Sequence, residues 1–171
     1  AGDYDKALDE AVIACIRDGM TDLEKTASIY SWLADTIVRT TGRDTAYEAL
    51  VDKRADCFGI AAAFRAIAQK ARLTCTVVRG QHYGSKGWCE HVWNAVKIGK
   101  GDDETGGVWY YVDASRADSA WTPGHADYAY LLFGTDKSGY SATIEDEHIP
   151  IRSRAHDLGL ERWRPFSPLT P

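Results

Sequence analysis

Three residues of this chain, Cys57, His91 and Asp113, are of the types that cooperate in catalysis by a thiol. In such a set the cysteine attacks a carbonyl carbon, the histidine transfers the proton, and the aspartate holds the imidazole in one tautomer. Each residue alone is weak evidence, because an isolated cysteine or histidine more often has a structural role. The prediction therefore depends on the elements that would bring the three side chains together.

The segment around the cysteine, KRADCFGIAAAFRAIAQKA at 53–71, predicts a helix with Cys57 at its first turn or cap. Apolar residues at helical spacing form one stripe over 58–71, namely Ile60, Phe64, Ile67, Ala68 and Ala71. The free N–H groups and the positive dipole end of a helix start both stabilise a thiolate. Gly59 would allow a second stretch of backbone to approach this helix closely.

Helices come first along the chain, and strands follow. A first helix is predicted over 4–18, and a second runs from a capping box at Thr21 and Glu24 to about Val38. Strands are then predicted at 73–80, 89–98 and 108–115, with a weaker signal near 147–153. Helices followed by an antiparallel meander are typical of an α+β fold.

The second and third predicted strands would form a hairpin through the polar segment 99–107. If Ile98 lies beside Gly106, seven steps away from the turn along each strand place His91 opposite Asp113. Directly opposed side chains on one face have Cβ atoms about 5 Å apart, which lets a carboxylate hold an imidazole. A slip of one residue would put the two side chains on opposite faces, so this prediction depends on the register.

Three motifs in this order resemble the core of the transglutaminase-like superfamily: C-x-G-x-A at 57–61, H-x-W-N at 91–94 and W-Y-x-x-D at 109–113. The resemblance covers residues 47–115 and implies a papain-like cysteine-proteinase fold, in which N-terminal helices pack on an antiparallel sheet. It further implies Cys57 as the nucleophile, His91 as the base and Asp113 as the acid that orients the histidine. From Arg116 onward the resemblance fades.

The implied activity is thiol-dependent acyl transfer at the amide carbonyls of proteins or peptides. Cys57 would form a thioester with a glutamine side chain or a peptide carbonyl. Attack by an amine would make the protein a transglutaminase, whereas attack by water would make it a cysteine peptidase or a deamidase. The sequence leaves this choice open. The alternative is a non-catalytic binding module that keeps the fold, and the intact set of Cys57, His91 and Asp113 argues against it.

The segment QHYGSKGW at 81–88 is predicted to be a loop at the edge of the cleft, where recognition residues are common. Within it, Gln81 or His82 could donate to an oxyanion together with a backbone N–H at the helix start. Trp88 could contact the substrate. Asn94 is a further candidate for a hydrogen bond to the active-site loop, although a role in bracing the sheet is the favoured interpretation.

The length, composition and charge of the chain limit the classes of protein to which it can belong. A chain of 171 residues with 44% hydrophobic residues is expected to form a single domain over 1–171. Its net charge of −5 argues against a nucleic-acid-binding protein. It has no apolar run of the roughly 20 residues that a membrane helix needs. The resemblance favours an extracellular or cell-surface protein, whose leader would be absent from this chain, and the sequence does not indicate an oligomeric state.

No metal or other cofactor is predicted. A metal site could be imagined from the cysteine, histidine and aspartate residues Cys57, His82, Cys89, His91 and Asp113. These residues lack the second closely spaced ligand pair that zinc sites usually have. None of the cysteines forms a C-x-x-C motif, and with Cys57 catalytic, the remaining Cys15, Cys75 and Cys89 could form at most one disulfide.

Overall fold

The computed structural model describes residues 2–99, 107–117, 128–143 and 149–152. Its helices are α1 (Gly2–Cys15), α2 (Asp22–Thr36) and α3 (Cys57–Lys70). Its strands are β1 (Val38–Arg39), β2 (Arg54–Ala55), β3 (Cys75–Gly84), β4 (Gly87–Ile98), β5 (Val108–Val112) and β6 (Tyr140–Ala142). Helices therefore precede an antiparallel sheet in which the strand order is β5, β4, β3, β6, as the α+β prediction requires.

Side-chain caps fix the starts of the two helices that follow α1. The Thr21 hydroxyl accepts from the backbone N–H of Glu24, and the Glu24 carboxylate accepts from the N–H of Thr21, both at 3.1 Å. The predicted capping box is thus confirmed. At α3 one carboxylate oxygen of Asp56 accepts from the N–H groups of Phe58 and Gly59, at 3.0 and 3.2 Å. The helix consequently begins at Cys57, which lies in the first turn as predicted.

The sheet has an apolar layer on each of its faces. The larger layer joins the helices to the sheet and includes Tyr30, Leu50, Phe64, Val96 and Val112. The smaller layer covers the other face and contains Trp93, Ala95, Tyr111 and Phe133. Adjacent residues of one strand enter different layers because successive side chains of a strand point to opposite faces. Both faces of the central strands are therefore buried, and this determines which of the two apolar layers each side chain enters.

The observed register differs from the predicted one by two residues. Ile98 lies opposite Val108, and Asn94 lies opposite Val112, so the predicted placement of Ile98 beside Gly106 is wrong. Gly107 has a φ of +121°, and regular pairing resumes only after it, so the turn takes up more of the chain than predicted. A shift of two keeps every side chain on its predicted face, since the period of a strand is two.

The segment 81–88, predicted to be a loop, is the tip of a hairpin. β3 continues to Gly84, β4 begins at Gly87, and these two residues pair across a two-residue turn. Because polar side chains are typical of a loop, the sequence did not predict this extension of the strand. In the structure His82 is buried and its neighbour Tyr83 is exposed, which is the alternation expected of a strand. Gly87 supplies the positive φ, +86°, that begins the second strand.

Two further pairings carry little signal in the sequence. The short strand β1, which follows α2, pairs in parallel with β2, which directly precedes α3. Strand β6 pairs with β3 at residues 80–82. The strand signal near 147–153 corresponds to a single parallel bridge between Ile151 and Trp109, and residues 147, 148 and 153 lie outside the described residues. None of the helices in the described part of the chain is long and apolar enough to cross a membrane.

Candidate active site

Cys57 is the first residue of α3 and is half-buried. Asp56 caps the N–H groups of Phe58 and Gly59, and the Asp56 carbonyl accepts from the N–H of Ile60 at 3.0 Å. Within the described part of the chain, the N–H of Cys57 is left as the first-turn donor without a protein acceptor. The start of α3 therefore presents a thiol and a free backbone donor together.

Gly59 lets a second stretch of backbone lie against this first turn. A Cβ at position 59 would lie 2.7 Å from the carbonyl oxygen of Arg43 and 2.8 Å from Cβ of Ala55. The same Arg43 oxygen accepts from the N–H of Asp56 at 2.9 Å. The prediction that Gly59 permits a close backbone approach is confirmed, and the approach fixes the residues that lead into Cys57.

Asp113 is a buried carboxylate that accepts four hydrogen bonds. Its Oδ2 accepts from Nε2 of His91 and from the hydroxyl of Tyr140, each at 2.7 Å. Its Oδ1 accepts from the hydroxyl and the backbone N–H of Ser115, at 2.6 and 3.2 Å. Burial alone would raise the pKa of Asp113, but the hydrogen bonds and charge of His91, aided by Ser115 and Tyr140, hold that pKa below its usual value. Asp113 is therefore ionised at neutral pH.

His91 lies on β4 between the carboxylate and the cysteine, and its side chain is 8% exposed. Burial opposes the charge of the imidazolium, but the hydrogen bond that His91 donates to Asp113 and the one it shares with Cys57, together with the charges of these two groups, raise the pKa of His91 to about 9. The structure thus brings together Cys57, His91 and Asp113, with His91 contacting both of the others. The two-residue register shift does not separate them, because the pair meets diagonally rather than directly across the strands.

His82 stands beside this pair, on the same face of the sheet. Its ring centroid is 5.4 Å from that of His91 and 4.9 Å from that of Tyr140. A guanidinium nitrogen of Arg116 donates to Nδ1 of His82 at 3.2 Å. Burial and the positive charge of Arg116 lower the pKa of His82 to about 4, so this imidazole is neutral where His91 is charged. Because guanidinium only donates, the His82 proton lies on Nε2.

The remaining sequence candidates lie in different places. Trp88 is 52% exposed, packs edge-on against Tyr83 and lines a cavity that His82 also lines. Gln81 is exposed, faces the opposite side of β3 from His82 and lines a larger cavity of about 690 Å³ along that strand. Asn94 is buried under α3. Its amide donates to the carbonyl oxygens of Ala61 and Thr76, at 3.0 and 3.2 Å, and so ties the helix to the sheet.

Sequence reasoning missed Ser115 and Tyr140. Ser115 follows Asp113 by two residues, a spacing at which Asp often accepts hydrogen bonds from the backbone and side chain, so a local signal existed. Tyr140 lies 27 residues away on β6 and has no such signal. Gly80 allows β6 to approach, because a Cβ there would overlap the carbonyl oxygen of Ser141 and lie 2.6 Å from the ring of Trp93.

The sequence profile of the Transglutaminase-like superfamily matches residues 10–114, which is more than half of the chain. The chain belongs to the transglutaminase-like superfamily. No functionally curated protein matches its sequence.

Two solved structures share the fold at low sequence identity. One is the "Putative Cysteine Protease from Cytophaga hutchinsonii", with a TM-score of 0.54 and 17% identity. The other is a TGase, with a TM-score of 0.51 and 12% identity. Each match covers 66% of this chain, but only 38% and 31% of the respective neighbour. The transglutaminase-like fold is thus shared, while this chain spans about a third of the length of these proteins.

The other cysteines of this transglutaminase-like protein are separate from the site. All four cysteines are free thiols. Burial raises the pKa values of Cys15 and Cys75 to about 12, which makes both thiols inert at neutral pH. Cys89 is exposed. Among the described residues, no group of three or more histidine, cysteine, aspartate and glutamate side chains could hold a metal ion.

Proposed function

We propose that this protein catalyses thiol-dependent acyl transfer at amide carbonyls of proteins or peptides, with Cys57 as nucleophile, His91 as acid and base, and Asp113 as the orienting carboxylate. The observation that carries the proposal is the buried 2.7 Å hydrogen bond from His91 to Asp113, with the other side of His91 directed to Cys57. Family membership supports the same chemistry, because the neighbours in structure are described as a cysteine protease and a TGase.

The first half-reaction would proceed from a Cys57 thiolate beside a protonated His91. The sulfur attacks the carbonyl carbon, and the oxygen becomes an oxyanion that the free N–H of Cys57 can bind. His91 then gives its proton to the departing amine, or to ammonia when the substrate is a glutamine side chain. The C–N bond breaks and a thioester remains on Cys57. Asp113 stays ionised throughout and holds His91 in position.

In the second half-reaction neutral His91 removes a proton from the acyl acceptor, which attacks the thioester carbon. The C–S bond breaks and the Cys57 thiolate is restored beside protonated His91. Water would release an acid, which is peptidase or deamidase chemistry, and a primary amine would release a new amide, which is transglutaminase chemistry. Both reactions use the same three residues in the same roles. The identity of the acceptor is therefore a property to be measured rather than one that these three side chains decide.

The proposal includes a single domain over residues 1–171. One continuous apolar core supports this, because it contains residues from α1, such as Leu8, together with Leu131 and Leu132 after the sheet. The segment beyond 115, where the family resemblance fades, thus contributes to the same core. Tyr140 of the same segment donates to Asp113.

Trapping the acyl-enzyme tests the proposed function. The full chain is incubated with a glutamine-containing peptide, with and without a primary amine, and the protein and products are weighed by mass spectrometry. We expect a thioester on Cys57, and the product mass then separates water from the amine as acceptor. Cys57→Ala should abolish the adduct, while the exposed-thiol control Cys89→Ala keeps it.

Alkylation by iodoacetamide provides a second measurement that needs no substrate. Cys57 is expected to react faster than Cys89, although Cys89 is the more exposed thiol. Slower labelling at Cys57, or turnover that survives Cys57→Ala, would contradict the assignment. A folded protein that binds peptides without forming any adduct would support the non-catalytic alternative.

A further inference from the structure

A cavity of about 390 Å³ opens beside the His91–Asp113 pair. His82 and Tyr140 line this cavity, and both also contact the pair. The ring of Tyr140 is 6.2 Å from that of His91, and its hydroxyl donates to Asp113. A group bound in the cavity would therefore contact side chains, those of His82 and Tyr140, that also contact the His91–Asp113 pair.

Two cations and no carboxylate line this cavity within the described residues. Arg116 and Lys137 both belong to the lining, and no acidic side chain of the described segments lies within ion-pair distance of either. Both lie over the ring of Tyr130, at 5.4 and 4.9 Å from its centroid. The ring face partly offsets each charge but neutralises neither. Two like charges thus lie over one ring, and no carboxylate of the described segments forms an ion pair with either.

His82 prepares Arg116 to bind an anion. Its Nδ1 accepts one hydrogen bond from the guanidinium at 3.2 Å, which fixes the orientation of that planar group. Because its low pKa keeps His82 neutral, it adds no third positive charge to the cavity. A guanidinium has five N–H donors, and those that remain form the planar fork that matches a carboxylate.

The rim of the cavity is aromatic. Trp88 and Tyr83 both line it, and they lie at the hairpin tip with 52% and 58% of their surfaces exposed. Their rings meet edge-on, with centroids 5.6 Å apart. Exposed aromatic side chains beside a charged pocket supply apolar contact area for the chain on either side of a bound acidic residue.

We propose that this cavity binds a carboxylate of the substrate through Arg116 and Lys137, so that the enzyme selects amides next to an acidic residue. The inference rests on the proposed function, because the bound carboxylate belongs to a substrate only if the protein is an enzyme. Binding of a carboxylate in the cavity does not itself require turnover. It assigns specificity to residues in the part of the chain that follows the matched family core.

A binding measurement tests the site without any chemistry. The full-chain Cys57→Ala protein is titrated by NMR with three acetylated tripeptides: acetyl-Gly-Glu-Gly-amide, its Gln counterpart, and the Gln peptide with a free carboxyl terminus in place of the amide. The Glu peptide should bind more than about tenfold more tightly than the neutral peptide, as expected for charge-assisted hydrogen bonds. The free-terminus peptide shows whether a terminal carboxylate serves equally well.

Arg116→Gln and Lys137→Gln should each remove most of this preference, whereas Lys86→Gln should keep it. Lys86 lies in the exposed turn of the same hairpin and does not line the cavity, so it controls for the loss of one positive charge. Equal binding of the Glu and Gln peptides by the parent protein would overturn the proposal. An unchanged preference in both cavity variants would also overturn it.

Turnover on a mixed peptide library separates this inference from the proposed function. Active protein should react at amides whose neighbouring positions are enriched in Asp and Glu, and the enrichment should disappear in Arg116→Gln. Reaction without any acidic enrichment refutes the cavity assignment and leaves the acyl transfer standing. Preferential binding of the Glu peptide without reaction refutes the acyl transfer and leaves the cavity assignment standing.

Discussion

The two sides of the candidate site are held by contacts of very different range along the chain. On the helix side, defined by Asp56, Cys57 and Gly59, the cap contacts span two and three residues. On the sheet side, defined by His91, Asp113 and Tyr140, the hydrogen bonds span 22 and 27 residues. Cys57 is thus positioned mainly by its own helix, while His91 and Asp113 depend on the assembled sheet.

This difference separates two kinds of damage. A change on the helix side should mainly lower the free energy of unfolding, because the cap and the close backbone approach stabilise α3 in its place. A change on the sheet side should mainly alter proton transfer, because Asp113 sets the charge of His91. Four variants, taken from the largest expected effect to the smallest, test how cleanly the two sides separate.

Asp113→Asn should have the largest effect, a fall in kcat/KM of about 10³-fold or more, which is the loss seen when the aspartate of a catalytic triad is replaced. In the parent protein the pKa of His91 is about 9, so its proton is present below that pH and lost above it. Without the carboxylate, burial favours the neutral ring, and the alkaline limb of the rate–pH profile should move to lower pH. Rates measured from pH 5 to 10 test this.

The control for this variant is Asp136→Asn, which removes an exposed carboxylate. It should keep both the rate and the alkaline limb. The role of Asp113 is contradicted if Asp113→Asn leaves the alkaline limb where it is, even when its rate is low.

Gly59→Ala should lower the free energy of unfolding by about 1–3 kcal/mol, the usual cost of overpacking. The new methyl group would press against the Arg43 carbonyl oxygen and the Ala55 side chain. Urea unfolding measures the loss, and Gly2→Ala is the matched control because a Cβ there meets nothing within 4 Å. If the helix side and the sheet side are independent, the pKa of His91, followed by NMR, should stay near its parent value in Gly59→Ala.

Tyr140→Phe should lower kcat/KM by about tenfold, the loss expected for one hydrogen bond to a charged group. Since the Tyr140 hydroxyl helps to hold the pKa of Asp113 down, its removal should raise that pKa, which NMR of the Asp113 carboxyl measures. A purely structural role would lower stability without moving that pKa. Tyr47→Phe, at an exposed tyrosine, should change neither quantity.

Asp56→Ala should have the smallest effect, a loss of about 1 kcal/mol in the free energy of unfolding, which is typical of a lost N-cap. The N–H groups of Phe58 and Gly59 lose their acceptor, but Cys57 remains at the helix start. Asp44→Ala removes the same charge from an exposed position and should leave stability unchanged. A larger fall in turnover than in stability would show that the cap also orients the thiol.

The helix side was predictable because its signals are local. The helix that begins at Cys57 and its cap depend on residues within one turn of each other. A glycine in that turn indicated a close backbone approach, but not that Arg43, sixteen residues earlier, would make it. On the sheet side, the face of each residue was predictable from alternation, but the register was not. Register depends on how many residues the turn takes up, and the φ of Gly107 is invisible in the sequence.

The hairpin tip at 81–88 and strand β6 show the same limit. Polar side chains and glycines at the tip are typical of a loop, and only pairing with β4 makes them strands. β6 is three residues long, and its approach depends on the missing side chain of Gly80. Contacts between segments far apart in the chain stabilise both elements, so short-range patterns do not indicate them.

The sequence alone determined which residue types were present, their order in three motifs, and the helix start that carries Cys57. Only the tertiary structure decided their charge states. His82 and His91 are the same residue type on one face of one sheet, with ring centroids 5.4 Å apart. Burial together with the charge of Arg116 lowers the pKa of His82 to about 4, whereas Asp113 and Cys57 outweigh burial and raise the pKa of His91 to about 9. Electrostatic interaction depends on distance and burial, and neither quantity exists until the chain has folded.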